Sequence, residues 1–213
     1  EAMVKCHGSQ CGFCTPGFIM SLFSMFKNHS KFKEDIIKDS IAGNLCRCTG
    51  YKPIIKAAKS LQKKNKIDHF VKNKKKTISL LKKIGNKSIT IYQKNKKYFA
   101  PRYISELKKI LKKNTNSKLL SGGTDLSLVV TKERKDIESI IYMNSIKELN
   151  YIKNNNKYIE VGATTSLNDF EKYIVKYYPD FNKILKRYGS TQIRNVATLA
   201  GNIATASPIG DNL

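Results

Sequence analysis

Apolar side chains recur at helical spacing in the first third of the chain. Between residues 16 and 28 they fall on one predicted helical face, at Phe18, Ile19, Leu22, Phe23 and Phe26. Shorter helices are predicted at about 33–41 and 53–63, and Gly43 is expected to end the former at a positive φ. Since small bundles bury such apolar faces, residues 1–65 are predicted to form a small all-α bundle.

The pattern changes twice after this bundle. Residues 66–88 are dense in lysine and asparagine, and a composition that can bury so little surface favours an interdomain linker. From residue 89 onward helix and strand signals alternate, with short strands predicted at 89–92, 118–120, 140–143 and 158–161. Residues 89–213 are therefore predicted to form an α/β domain, and the predicted fold class is α+β with two domains.

Four cysteines form two close pairs in the predicted bundle. The first pair is Cys11 and Cys14, and the second is Cys46 and Cys48. Each pair is followed by a threonine and a proline, which are typical of helix starts. Both pairs are thus expected near helix N-termini, where free amides and the macrodipole stabilise thiolates. Four thiolates at this spacing predict a metal site, and an iron–sulfur cluster there would be suited to electron transfer.

Disulfide bonds and structural zinc are two other uses of paired cysteines. Disulfides need an oxidising compartment, but the sequence has no apolar signal-like stretch, and Cys6 would leave an odd thiol. Structural zinc accepts four thiolates, yet its usual pattern places two similar knuckles in turns and not a pair ahead of each helix. The spacing favours iron–sulfur over both and leaves zinc chemically possible.

The overall charge changes this picture little. The 213 residues include 40 Lys+Arg against 16 Asp+Glu, a formal net charge of +24 that is typical of nucleic-acid partners. The lysines are spread along the chain and are not interleaved with aromatic residues, so we interpret the charge as a compositional bias. No run of 18 apolar residues indicates a membrane span.

A glycine pair follows the strand predicted at 118–120. In Ser121-Gly122-Gly123-Thr124-Asp125, the glycines allow the backbone to approach a phosphate and to present amide donors to it. A plain turn explains the same residues, and the string lacks the G-x-G-x-x-G spacing of a Rossmann fold. On its own, this motif leaves both interpretations open.

The cysteine strings resemble a known family. HGSQCGFCTPGFIMSLF and NLCRCTGYKPIIKAA are similar to the second, helical 2Fe-2S domain of the xanthine dehydrogenase family of molybdenum hydroxylases. The resemblance implies that Cys11, Cys14, Cys46 and Cys48 ligate the cluster. It also implies that Gln10 lies close to a molybdopterin held by another subunit or domain, whereas Cys6 matches no ligand position.

Two later strings resemble the flavin-binding loops of the same family. They are SGGTDL and the segment from Tyr188 to Ile203, which continues through Ser207 to Asp211. The resemblance implies a non-Rossmann FAD-binding domain whose cofactor contacts are Leu119, Leu120, Ser121, Gly122, Gly123, Thr124, Asp125, Leu126, Tyr188, Thr198, Leu199, Ala200, Gly201, Asn202 and Asp211. Ala200 stands where many relatives have a second glycine.

The resemblance also implies a function. Electrons would pass from a molybdopterin centre on a partner through this cluster and a second, upstream 2Fe-2S domain to FAD and then to NAD, during hydroxylation of a purine. An aldehyde oxidase-like, carbon monoxide dehydrogenase-like or other heterocycle hydroxylase is the alternative, and a zinc-stapled nucleic-acid-binding protein is a remote one. We expect an internal fragment, truncated at both ends, of a cytoplasmic oxidoreductase subunit, with no catalytic acid or base in this chain.

Overall fold

The computed structural model describes residues 1–61 and 68–206, and the chain divides into two compact units. The first unit is Glu1–Leu80 with Gly189–Gln192, and the second is Leu81–Tyr188 with Ile193–Leu213. None of the helices within the described ranges has both the length and the apolar content needed to cross a membrane.

The first unit is helical. Its helices are α1 (Ala2–Lys5), α2 (Thr15–Asn28), α3 (Glu34–Ile41) and α4 (Lys52–Lys59), and α5 (His69–Lys83) begins in it. The predicted helices at 16–28 and 33–41 correspond closely to α2 and α3. Residues 62 and 63, where the third predicted helix ends, lie outside the described ranges. α5 lies in the segment predicted as a linker, and none of its residues is buried.

Three helices supply the core of this unit. Its buried residues are Phe18, Leu22 and Met25 of α2, Ile37 and Ile41 of α3, and Ile54 and Ala58 of α4. The buried face of α2 thus follows i, i+4, i+7 spacing from Phe18. The predicted face was too broad, because Ile19 is 48% exposed and Phe23 is 40% exposed. Met25 takes the core position that the sequence interpretation left out.

Two expectations about helix ends in this unit were wrong. Ala42, with φ −57°, is the C-cap of α3, and Gly43 is not among the residues with positive φ. Gly43 instead leaves room for the side chain of Gln192, which a Cβ at position 43 would overlap. Thr15 lies inside α2 and makes no capping bond, since its hydroxyl pairs with Ser9 Oγ at 2.6 Å.

The second unit contains a four-stranded mixed sheet. Its strands are β1 (Ile89–Gln93), β2 (Lys96–Ala100), β3 (Lys118–Leu120) and β4 (Ser139–Tyr142), in the order β1-β2-β4-β3. β1 and β2 are antiparallel, whereas β2 and β3 both run parallel to β4, with Leu119 opposite Ile141. The carboxyl ends of three strands therefore share one edge, where open α/β sheets bind ligands.

Helices and a second, two-stranded sheet complete this unit. The remaining elements are α6 (Ile104–Lys113), α7 (Leu126–Thr131), β5 (Ile152–Asn154), β6 (Ile159–Val161), α8 (Leu167–Ile174), α9 (Pro179–Arg187), α10 (Thr191–Arg194) and α11 (Leu199–Thr205). α10 begins at Thr191, which belongs to the first unit. One core cluster packs Phe99 and Ile141 of the four-stranded sheet against Leu107 of α6. A second cluster joins Phe170 of α8 to Leu185 of α9. The expected α+β class with a helical region before an α/β domain is confirmed.

Candidate metal centre and cofactor cavity

The sulfur atoms of the first cysteine pair lie close to those of the second pair. Cys48 Sγ lies 3.5 Å from Cys11 Sγ, and the thiols of Cys14 and Cys46 are hydrogen-bonding neighbours. Each contact therefore joins one cysteine of the first pair to one of the second. All five cysteines of the chain are free thiols, and Cys6 lies apart in sequence at the C-cap of α1.

Local backbone geometry places both pairs. Cys14 is the N-cap of α2, so the first pair lies at a helix N-terminus as expected. Gly12, with φ +85°, provides the turn between the two cysteines. The second pair is followed by two consecutive left-handed residues, Gly50 with φ 63° and Tyr51 with φ 66°, and Tyr51 is the N-cap of α4. A bulky residue with left-handed backbone angles is strained, and this conformation persists only where surrounding contacts stabilise it.

The environments of the four thiols differ. The hydroxyl of Thr49 is the main cause that lowers the pKa of Cys46 to about 7, with help from backbone amides. The backbone N–H of Phe13 lowers the pKa of Cys11. Burial raises the pKa of Cys14, and the hydrogen bond to Cys11 raises that of Cys48. Cys46 is thus the thiol that ionises most readily near neutral pH.

The arrangement suits a two-iron cluster better than a single ion. Among the described residues, no three His, Cys, Asp or Glu side chains converge closely enough to hold one metal ion. Tetrahedral zinc needs four ligands about 2.3 Å from a single point, whereas a 2Fe-2S cluster takes its four thiolates as two pairs, one per iron. Sulfurs that meet in pairs across two loops fit the second pattern, so the donor set and its arrangement fit the cluster.

A cavity of about 250 Å³ opens at the carboxyl ends of β3 and β4 in the second unit. It is lined by the loop after β3, by Met143 directly after β4, and by residues around the start of α11. This volume lies below the roughly 300–1,000 Å³ typical of pockets for whole drug-sized ligands. The cavity can therefore take part of a dinucleotide, such as its pyrophosphate.

Backbone contact between the two loops requires a glycine at position 122. A Cβ there would overlap the carbonyl oxygen of Val196 and lie 2.8 Å from Ala197 Cα. Gly123 has φ +76°, a conformation that L side chains rarely adopt. Thr198 caps α11 by accepting the Gly201 N–H at 3.1 Å. The glycine pair therefore serves close backbone approach, which a plain surface turn would not need.

Asn202 carries an unsatisfied polar atom into this region. It is 6% exposed and lines the cavity, and its Nδ2 donates to Tyr188 Oη at 2.9 Å. Its Oδ1 is buried and has no hydrogen-bond partner among the described residues. Because a buried unsatisfied amide oxygen is costly, this atom is suited to a partner supplied by a ligand.

Most residues predicted to contact FAD line this cavity. Eleven do so: Leu119, Ser121, Gly122, Gly123, Thr124, Asp125, Leu126, Thr198, Ala200, Gly201 and Asn202. Leu120, Tyr188 and Leu199 do not line it, although Tyr188 reaches it through Asn202. Asp211 lies outside the described residues. The cavity also includes residues that the sequence interpretation missed: Met143, Ala163, Ala197, Ala204 and Thr205.

Arg194 is a further residue that the sequence interpretation did not single out. It is 3% exposed, its Nε lies 3.4 Å from Glu171 Oε2, and its NH1 donates to the Tyr188 carbonyl at 3.1 Å. It thereby links the last residue of α10 to the C-cap of α9 and to α8. A charged residue inside a string of small and apolar residues was the available signal, since such a residue is seldom buried without partners.

Two family models match the chain. A [2Fe-2S] binding domain matches residues 1–59, and the FAD binding domain in molybdopterin dehydrogenase matches residues 91–213. The chain belongs to the molybdopterin dehydrogenase family, and it carries a 2Fe-2S-binding and an FAD-binding domain of the xanthine dehydrogenase-like type. The predicted cofactors and family are thereby confirmed.

Curated relatives and a solved structure agree with this assignment. The chain is 30% identical to a xanthine dehydrogenase of Emericella nidulans, over 96% of this chain and 19% of that protein. It is 27% identical to aldehyde oxidase 3 of Mus musculus, over 99% of this chain and 20% of that protein. It thus spans about a fifth of the length of these relatives. A carbon monoxide dehydrogenase from Hydrogenophaga pseudoflava is similar in structure, with a TM-score of 0.51 and 29% identity, over 57% of this chain and 44% of that one.

Proposed function

We propose that the chain is the electron-transfer portion of a xanthine dehydrogenase-like molybdenum hydroxylase, an oxidoreductase. Electrons would leave a molybdopterin centre on a partner subunit or domain, pass to the 2Fe-2S cluster and FAD, and reach NAD during hydroxylation of xanthine or hypoxanthine. The observation that carries this proposal is the presence in one chain of four paired thiols and a glycine-lined cavity. When bound, the two cofactors supply the redox chemistry, while the protein positions them and tunes their potentials.

Cys11, Cys14, Cys46 and Cys48 are the proposed ligands of the cluster. Their pairing across two loops supports this assignment, as does the place of Cys14 at the N-terminus of α2. A 2Fe-2S cluster with four thiolates carries a formal charge of about −2, which becomes about −3 on reduction. Amide donors at a helix start stabilise such an anion.

The loops at 119–126 and 198–202 are the proposed contacts of the FAD pyrophosphate. Support comes from the close approach at Gly122, which brings the backbone of the two loops together at the cavity. The unsatisfied Oδ1 of Asn202 is an acceptor, so it suits a hydroxyl group of the cofactor and not its phosphate oxygens. Backbone N–H groups at a glycine-rich turn bind phosphate oxygens without a charged side chain. Asp211 is retained as a proposed polar contact on the sequence resemblance alone.

A molybdopterin-bearing partner is proposed to cover the surface around the cysteine loops. Phe13 is 95% exposed and Leu45 is 84% exposed, and each lies next to a proposed ligand in sequence. Exposed apolar side chains beside a charged centre favour a site that a protein partner covers. Gln10 is also exposed, in keeping with its proposed place near the molybdopterin. A second 2Fe-2S domain upstream, a linker at 66–88 and a cytoplasmic location complete the proposal.

The substrate can be tested in the complete enzyme that contains this chain. Xanthine added anaerobically is expected to bleach the cluster absorbance, and NAD is expected to restore it. An aldehyde oxidase-like function is the second candidate, because identity to the aldehyde oxidase is only slightly lower than to the xanthine dehydrogenase. Bleaching by an aromatic aldehyde, with none by xanthine, would replace the purine assignment with this alternative.

A further inference from the structure

Thr49 lies directly against one proposed ligand of the cluster. Its Oγ1 is 3.1 Å from Cys46 Sγ, and the same oxygen accepts the backbone N–H of Tyr51 at 3.2 Å. A ligating cysteine is a thiolate and can only accept a hydrogen bond. Because the Tyr51 amide already donates to Oγ1, the hydroxyl proton of Thr49 is free to point to the sulfur.

Tyr51 fixes the same loop from its other end. Its Oη accepts the backbone N–H of Cys46 at 3.0 Å, so the segment from residue 46 to residue 51 is closed by hydrogen bonds at both ends. The ring packs edge-on against Phe18, with centroids 6.2 Å apart, and Phe18 is completely buried. The core of the unit thereby holds Tyr51 at its left-handed φ of 66° and keeps Thr49 against the sulfur.

The first cysteine pair has no equivalent contact within the described residues. Thr15 follows Cys14 as Thr49 follows Cys48, but the Thr15 hydroxyl pairs with Ser9 Oγ at 2.6 Å. Among the hydrogen bonds of the described residues, only that of Thr49 brings a side-chain hydroxyl to the sulfur of one of the four cysteines. Thr15 is therefore a matched control for Thr49, because both follow a cysteine in sequence but only Thr49 contacts a cysteine sulfur.

We propose that Thr49 is a positioning residue that raises the reduction potential of the 2Fe-2S cluster through its hydrogen bond to Cys46 Sγ. The inference rests on the proposed ligation of the cluster by Cys46. Reduction adds negative charge to the cluster and its thiolates, so a donor at the sulfur stabilises the reduced form more than the oxidised form. The effect is specific to the Cys46 side of the cluster.

Redox titration of reconstituted variants tests the proposal. Thr49→Val and its control Thr15→Val are loaded with iron and sulfide, and the reduced cluster is followed by its electron paramagnetic resonance signal. Thr49→Val is expected to retain its iron and to show a more negative midpoint potential. Thr49→Ser, which keeps the hydroxyl, is expected to restore the wild-type potential, and Thr15→Val to leave it unchanged.

Several outcomes would overturn the proposal. An unchanged potential in an iron-loaded Thr49→Val protein would do so, as would an equal shift in Thr15→Val. If the valine variant does not retain iron, Thr49→Ala removes the hydroxyl without a second methyl group at the sulfur, and iron loss there too contradicts a tuning role. Cys46→Ser separates this inference from the ligation, because full iron retention in that variant would refute the ligand assignment itself.

Discussion

The two sites of this chain differ in how far apart their residues lie in sequence. The four proposed ligands fall between Cys11 and Cys48, within one helical unit. The cavity of the second unit gathers residues from 119 to 205. Since closing a longer loop costs more entropy, the cavity depends on more of its unit being folded than the cysteine loops do. A local site can therefore survive changes that a dispersed site cannot.

The two sites are also held in different ways. Side chains anchor the cysteine loops, as in the contact of Tyr51 with both Cys46 and Phe18. Backbone against backbone holds the cavity together, where Gly122 meets Val196. Truncating an anchoring side chain removes only part of its contacts. A close contact between two backbone segments, in contrast, leaves no space for even one added atom.

The largest expected effect is the loss of iron when a proposed cluster ligand is replaced, in contrast to replacement of Cys6, which lies outside both cysteine pairs. Cys46→Ser should lose most of its iron, because one of the four thiolates is removed from the cluster. Cys6→Ser is the matched control and should retain its iron, since Cys6 belongs to neither pair. Iron and sulfide analysis of both proteins after reconstitution is the measurement. Equal iron loss in the two variants would count against the ligand assignment.

The next effect is expected at the backbone contact of the second unit. Gly122→Ala should abolish most FAD retention and destabilise this unit by about 1–3 kcal/mol, because the new Cβ overlaps the Val196 carbonyl. Gly85→Ala is the control, since no atoms lie within 4 Å of a Cβ added at Gly85, and its φ of +78° adds only local backbone strain. FAD released by denaturation and the urea midpoint measure both effects. Full FAD occupancy in Gly122→Ala would mean that the phosphate is assigned to the wrong loop.

A smaller effect is expected at Tyr188, whose side chain bonds to the cavity residue Asn202 without lining the cavity itself. Tyr188→Phe removes the hydroxyl that accepts from Asn202 Nδ2, which should cost about 0.5–1.5 kcal/mol of stability. FAD affinity should fall by less than in Gly122→Ala, because Tyr188 does not line the cavity itself. Isothermal titration with FAD, beside a urea unfolding curve, distinguishes the two variants. A loss of affinity as complete as that of Gly122→Ala would place Tyr188 in direct contact with the flavin.

The helical unit was largely predictable because its signals are local. Helical spacing located α2 within one residue, and cysteine spacing indicated the metal site. The finer details depend on tertiary contacts that spacing does not encode. Gly43 makes room for Gln192, and Thr15 bonds to Ser9 instead of capping its helix. Short-range propensity is a weak signal, and tertiary contacts such as these override it.

The cavity was predictable only from the two sequence strings that resemble flavin-binding loops, SGGTDL and the segment that begins at Tyr188. Met143 lies far from these strings in sequence and joins the cavity because the parallel strands β3 and β4 end at one edge. Ala163 joins it from the turn after β6. β2, which pairs with both β1 and β4, was missed because its sequence Lys-Lys-Tyr-Phe-Ala begins with two exposed lysines. Residues whose role depends on sheet order carry little periodic signal of their own.

The most direct test of the account is the metal and sulfide content of the reconstituted chain. Anaerobic incubation with iron and sulfide is expected to give a brown protein with about two iron and two sulfide per chain, as four thiolates arranged in pairs require. Its visible absorption should bleach on reduction with dithionite. A colourless protein that binds stoichiometric zinc and retains no iron would contradict the account.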